Sequence, residues 1–186
     1  MPRITFDFIA NNKPDNLPSA EQIIRRCAEA NAVNFRTGLS GVALVGSSQN
    51  DAPYAWVKYG RSITMAEART QQYVAQVVNS NDAAPVRIPA VYCSFESNSR
   101  GYIVMELIEG EICSDADAGL VAAAVQFLIT IKGPTEQPGP IGGGPICHNF
   151  FVDRESSVTY SSVDLLEKHI NGVSGRLHSP PLLHRG

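Results

Sequence analysis

No stretch of this 186-residue chain is long and apolar enough to read as a membrane span. The longest apolar helical pattern, Ala118 to Ile131, falls short of the ~20 residues a span requires. Met1 to Asn11 lacks the cationic and apolar regions of a secretory signal. Basic residues are in the minority, 15 Lys and Arg against 18 Asp and Glu, which leaves a net charge of −3. That excludes the basic footprint of a nucleic-acid binder and the polybasic patch of a membrane-surface protein. Cysteines number four, Cys27, Cys93, Cys113 and Cys147, with no Cys-x-x-Cys pair among them. Such usage points to a reducing compartment with free, mostly core thiols. These absences together predict a soluble, cytoplasmic protein with no nucleic-acid or membrane partner. What is present is a hydrophobic fraction of 44%, enough for a sizeable core.

The chain opens on a polar, irregular segment to about Leu17. Ser19 and Gln22 have capping-box spacing, and the helix behind them puts Ile23, Ile24 and Cys27 on one face. Three strands follow, at Ala32 to Arg36, Gly41 to Val45 and Tyr54 to Tyr59. The turn-forming residues Gly46 to Pro53 join the last two as an antiparallel pair. A helix over Met65 to Asn79 starts at a second capping-box spacing, Thr64 and Glu67. Val91 to Glu96, a turn at Ser97 to Gly101, and the apolar run Tyr102 to Ile108 read as a hairpin whose second strand is central. Beyond Gly110 the pattern turns helical, from Asp115 to Lys132, and stops at Gly133-Pro134. A Pro/Gly-rich loop to Pro145, a helix from Val163 to Ile170 and an unpatterned tail from Val173 complete the chain. The order predicts an α+β fold, with a five-stranded antiparallel sheet and one main helix in residues 1–110 and a helical part in residues 111–186.

Lys58 sits in an apolar strand, where burial without a partner is costly. One reading points it to solvent from an edge strand. The other pairs it with Glu67, which shares a helix face with Gln71, Val74 and Val78. Glu67 is also the N3 residue of the Thr64 capping box, and the two roles compete for one carboxylate. A lysine on the third strand paired with a glutamate on the next helix is the kinase arrangement, which aims the ammonium at the α- and β-phosphates of ATP. The apolar strand Tyr102 to Glu106 then runs out into Leu107-Ile108-Glu109-Gly110.

Taken in order, Trp56-Val57-Lys58-Tyr59-Gly60, Thr64 to Tyr73, Ile88-Pro89-Ala90-Val91-Tyr92 and Tyr102 to Gly110 resemble the aminoglycoside-phosphotransferase-like kinases of fungi. Pro138 to Pro145, Asn149-Phe150-Phe151 and the helix near Ser162 resemble the insertion those proteins carry before their catalytic loop. The resemblance covers residues 18 to 172 and implies a protein-kinase-like N-lobe followed by an incomplete helical C-lobe. It maps the phosphate-binding lysine to Lys58 and its partner to Glu67. It maps the adenine-binding hinge to Glu106, Leu107 and Ile108, with Met105 limiting the depth of the pocket. It places a nucleotide-covering loop between the first two strands, near Arg36 to Gly41, where Gly38 and Gly41 let the backbone approach phosphates. That loop lacks the full Gly-x-Gly-x-x-Gly spacing, and an ordinary hairpin turn explains it equally well.

A phosphotransferase further needs a catalytic aspartate in a His-x-Asp-type loop and a second aspartate for Mg²⁺. The sequence given stops where that loop would begin, so no catalytic residue is assigned. His148, His169, His178 and His184 lack metal-ligand spacing, and no metal site is assigned either. Asp115 and Asp117 read as helix caps. Gly142-Gly143-Gly144 lacks the Lys-Ser/Thr of a P-loop. The expectation is an ATP-binding fragment or pseudoenzyme, with Mg²⁺ held only if the missing part is supplied. Two alternatives stand beside it. One is a non-enzymatic interaction protein, forming a homo-oligomer or binding a protein partner through the apolar helix with Leu120, Phe127 and Ile131. The other is a truncated product of an active small-molecule kinase.

Overall fold

The computed structural model describes residues 3–37, 41–46 and 52–177. Two compact units divide the chain, Met1–Ile131 and Lys132–Gly186.

In the first unit the sequence Ile-Thr-Phe-Asp-Phe-Ile alternates apolar and polar residues, and it forms β1 (Ile4–Ile9). This corrects the expectation of an irregular opening. Helix α1 (Ala20–Thr37) starts at the expected capping box. The Ser19 N–H donates to Gln22 Oε1 at 2.9 Å, and the Gln22 N–H donates to Ser19 Oγ at 3.4 Å. The helix runs on through Ala32 to Arg36, which were expected as a strand. Ala28, Ala30 and Ala32 are strong helix formers, and neither Gly nor Pro interrupts the chain before Gly38, so a started helix propagates.

β2 (Gly41–Val45) pairs antiparallel with β3 (Pro53–Gly60). The link between them lies largely outside the described residues. Helix α2 (Met65–Asn79) has the predicted bounds. β4 (Val91–Ser97) and β5 (Arg100–Glu106) form a hairpin through Asn98 and Ser99. Both turn residues have positive φ, 50° and 57°, as a two-residue I′ turn requires. The five strands form one antiparallel open sheet in the order β1-β4-β5-β3-β2, with the apolar β5 at its centre.

Side chains alternate across the sheet, so each face has its own core. On one face α1 contributes Ile23 and Cys27, packed with Leu44, Val57, Phe95, Tyr102 and Val104. Tyr102 and Phe95 stack with ring centroids 4.9 Å apart. On the other face α2 contributes Ala68, packed with Val91, Ile103 and Met105. Burial pushes the Cys27 thiol up to about 12 and the Cys93 thiol up to about 11, so both stay protonated and unreactive at neutral pH. Cys113 and Cys147 are exposed, so two of the four thiols belong to the core.

The predicted helix over Asp115 to Lys132 is shorter, a 3-10 turn at Asp115–Asp117 and α3 (Ala118–Leu128). Ser114 donates its N–H and hydroxyl to the Asp117 carboxylate at 2.8 and 2.9 Å, which holds that carboxyl below its usual range. No residue of α3 is buried.

The second unit is rich in turns. Gly142, Gly143 and Gly144 all have positive φ, from 80° to 119°, which other residues rarely adopt. Buried Ser156 accepts the Ile146 N–H at 2.8 Å and donates to the Val158 carbonyl at 2.8 Å. Helix α4 (Val163–Leu177) passes through Asn171-Gly172, beyond its predicted end. Tyr160 is buried, with its hydroxyl 2.8 Å from His169 Nδ1. No helix among the described residues is long and apolar enough to cross a membrane.

Candidate functional site

Lys58 lies toward the end of β3, opposite Gly41 on β2 and Ile103 on β5. Ile103 belongs to the α2-side core, so Lys58 projects on the face that carries α2. Its Nζ donates to Glu67 Oε1 in an ion pair. The Glu67 carboxylate goes to Lys58, and only the main-chain arm of the Thr64 capping box forms. Thr64 Oγ1 accepts the Glu67 backbone N–H at 3.1 Å, and the carboxylate is left to Lys58. One residue thus starts the helix with its main chain and holds the lysine with its side chain.

Both side chains are little more than one-third exposed, 38% for Lys58 and 36% for Glu67. An ion pair this open contributes about 0–1 kcal/mol to folding. Its consequence is orientation. Glu67 takes one N–H of the ammonium, and an ammonium has three. The rest can face an anionic oxygen in solvent.

Other side chains fix α2 along its length, and therefore fix Glu67. Arg69 pairs with Asp7 of β1 at 2.9 Å. The Gln71 amide donates to the Pro89 carbonyl at 3.0 Å and to Met105 Sδ at 3.3 Å. The Asn79 side chain closes a ring on Ile88, donating to its carbonyl at 2.8 Å and accepting its N–H at 3.0 Å. Gln71 shares the face of Glu67 by sequence spacing. The reach of Asn79 to Ile88 has no periodic signal.

Met105 is buried between Trp56 and Val91 on the flanking strands. Glu106 is fully engaged on its β4 side. Its N–H donates to the Ala90 carbonyl at 2.8 Å, and its carboxylate accepts the Ala90 N–H at 3.3 Å and the Arg87 guanidinium. Leu107 and Ile108 leave the sheet. Among the described residues neither has a backbone hydrogen-bond partner. Their N–H and C=O groups are available to a ligand with its own donors and acceptors.

Gly38 and Gly41 were the two glycines expected near the phosphates. Gly38 lies outside the described residues. Gly41 is the first residue of β2, and the element before it is helix α1 rather than the expected strand. The indole of Trp56 lies across Gly41. A Cβ there would fall 2.4 Å from the ring carbons. The glycine is needed for the tryptophan to lie down.

A cavity of about 520 Å³ lies elsewhere. It opens between the end of β1 and the second half of α2, over Phe8, Ala75 and Val91, and is rimmed by the amides of Asn11, Asn12, Gln72 and Gln76. Its lining includes no charged side chain. Among the described residues no three His, Cys, Asp or Glu side chains converge as a metal site would require.

The Lys58 site therefore stands on its own geometry, a held ammonium at one end and unpaired backbone at the other. Compared with known proteins, the chain matches no family model, no curated protein and no solved structure.

Proposed function

We propose that the sheet unit is the nucleotide-binding half of a kinase-like phosphotransferase fold and takes the phosphates of ATP on Lys58. One observation carries this reading: a lysine on the strand before α2 is held by a glutamate in the first turn of α2. That is the arrangement that positions an ammonium for phosphate oxygens. The unpaired backbone at Leu107 and Ile108 supports it, since a base edge needs such donors and acceptors. Gln71 and Glu106 support it further by tying α2 and the end of β5 to the same segment, Arg87 to Ala90.

Phosphoryl transfer also needs a positioned base and metal-binding carboxylates to stabilise the transferring group. The sequence contains no His-x-Asp. The chain is accordingly expected to bind Mg·ATP and not to turn it over. An assay of phosphate release or transfer with the purified chain checks this. Turnover that Lys58→Ala abolishes would refute the binding-only reading.

A second reading rests on α3. The helix is almost wholly apolar, yet Leu120 within it and Ile129 at its C-cap are 73% and 77% exposed. Exposed apolar surface of this kind marks an interface with another protein or a second copy. Light scattering is then expected to give a mass above that of the single chain, lowered by Leu120→Glu. A stable monomer at micromolar concentration counts against it.

A further inference from the structure

The face of the sheet that α1 covers has an uncovered margin. β1 is an edge strand, and its register shifts at a bulge between Phe6 and Phe8. Strict alternation would put Phe6 and Phe8 on one face. The bulge instead sends Phe8 to the α2-side core and leaves Phe6 and Ile9 together on the α1 side, opposite Phe95 and Cys93. Phe6 lies against Phe95 with ring centroids 5.4 Å apart. Even so, Phe6 and Ile9 are 47% and 51% exposed.

The link from β1 to α1 turns this margin into a cavity. The Ala10 N–H donates to the Tyr92 carbonyl at 2.8 Å, and the Leu17 N–H donates to the Pro14 carbonyl at 3.1 Å. The Asn16 carbonyl accepts the Tyr54 hydroxyl at 3.0 Å. The link held in this way closes one side with Leu17 and Pro18, and the first turn of α1 adds Ala20 and Ile23. The space is about 210 Å³. Pockets for drug-sized ligands run to ~300–1,000 Å³, so this one seats a single ring or short chain.

One charged side chain lines the cavity, Lys13. Among the described residues it has no ion-pair partner. Its charge is felt in the cavity wall: burial raises the Cys93 thiol, and the Lys13 ammonium works against that rise. The N-terminus of α1, at Ser19 and Ala20, opens on the same space with the same sign of charge. A cationic ligand would be repelled here, and a wholly polar one would leave the apolar wall unused. A phosphomonoester brings nearly two charges to a single ammonium. A carboxylate brings one.

We infer that the cavity between β1 and the start of α1 binds a small organic acid with a short apolar tail. The tail packs on Phe6, Ile9 and Ile23, and the carboxylate pairs with Lys13. The site lies on the face of the sheet opposite Lys58, so it stands or falls independently of the nucleotide reading.

The test follows the backbone amides of the full, nitrogen-labelled chain by NMR during titration with octanoate, octanol and acetate. Octanoate is expected to shift the amides around Lys13, Ile23 and Cys93 saturably. Octanol should bind the same place more weakly, and acetate should not bind. Lys13→Met keeps the stem and removes the charge. It should weaken octanoate roughly 5- to 20-fold, as the loss of a half-exposed charge-assisted contact does, and leave octanol unchanged. Lys13→Gln serves the same purpose if the methionine variant precipitates. Ile9→Asp, at an exposed position, should abolish octanoate binding without unfolding the chain. Octanoate that binds no more tightly than octanol, or equally well to both Lys13 variants, overturns the acid specificity. Shifts confined to other parts of the molecule, or none at millimolar octanoate, overturn the site. An N-acetylated apolar dipeptide that binds more tightly than octanoate overturns the free acid as the ligand and assigns the cavity to a peptide C-terminus.

Discussion

Lys58→Ala is expected to abolish the stabilisation of this protein by Mg·ATP while leaving the protein folded. A ligand at a hundred times its Kd adds about 2.7 kcal/mol to the native state. For a chain of this size that is a rise in melting temperature of roughly 5–10 °C. The substitution removes the ammonium but exposes no new buried group. The ion pair with Glu67 is about one-third exposed on both sides, so its loss should cost about 1 kcal/mol or less. The two effects therefore separate cleanly. Without nucleotide, parent and variant should melt within a few degrees of each other, and with it only the parent should shift. Glu67→Gln should give an intermediate result, because the lysine remains but is no longer held. Equal shifts in parent and Lys58→Ala would place any nucleotide elsewhere in the molecule.

Gly101→Ala is expected to damage the fold itself. Gly101 sits in β5 opposite Gly60 of β3, under the short link that carries the chain into α2. A Cβ there would lie 2.1 Å from the Ile63 carbonyl oxygen and 2.8 Å from its carbon. Those are backbone atoms, so no rotamer change relieves the clash. The link must lift, and with it Thr64 and the first turn of α2. Overpacking of this kind costs roughly 2–4 kcal/mol, a fall in melting temperature of roughly 5–15 °C. Because Glu67 rides on the same turn, nucleotide affinity should fall as well. Circular dichroism melting measures the first effect, and a melt within about 2 °C of the parent would show that the link yields easily.

Gly101 also illustrates what a sequence can and cannot convey. Its presence near Ser97 suggested a turn residue, yet the turn is Asn98-Ser99, and the glycine serves the close passage of Ile63. Local chemistry was legible: the Ser19 and Thr64 caps, the bounds of α2, the β4–β5 hairpin and the central apolar strand all follow from short-range pattern. So was the pairing of Lys58 with Glu67, because Glu67 shares a helix face with Gln71, Val74 and Val78 and the helix directly follows the strand of Lys58. Ala32 to Arg36 was misread because its alternation favours a strand while its place inside an unbroken Ala-rich helix decides the outcome. β1 was overlooked, though Ile4, Phe6 and Phe8 alternate with Thr5 and Asp7. Long-range partners gave no signal at all. Nothing in the spacing brings Arg87 to Glu106, Asn79 to Ile88 or the Trp56 indole to Gly41, since each depends on how the sheet closes.

The position of β1 bears on how the protein is made. Ile4 pairs with Ser97, so β1 cannot join the sheet until β4 has been synthesised. The partner follows roughly 90 residues later, which at about 5–20 residues per second is a wait of roughly 5–20 s on the ribosome. Through that interval Ile4, Phe6, Phe8 and Ile9 are a β-prone apolar segment with no partner. The nascent chain is then most in need of a chaperone during the synthesis of its first half, and that need ends when the β4–β5 hairpin gives β1 an edge to join.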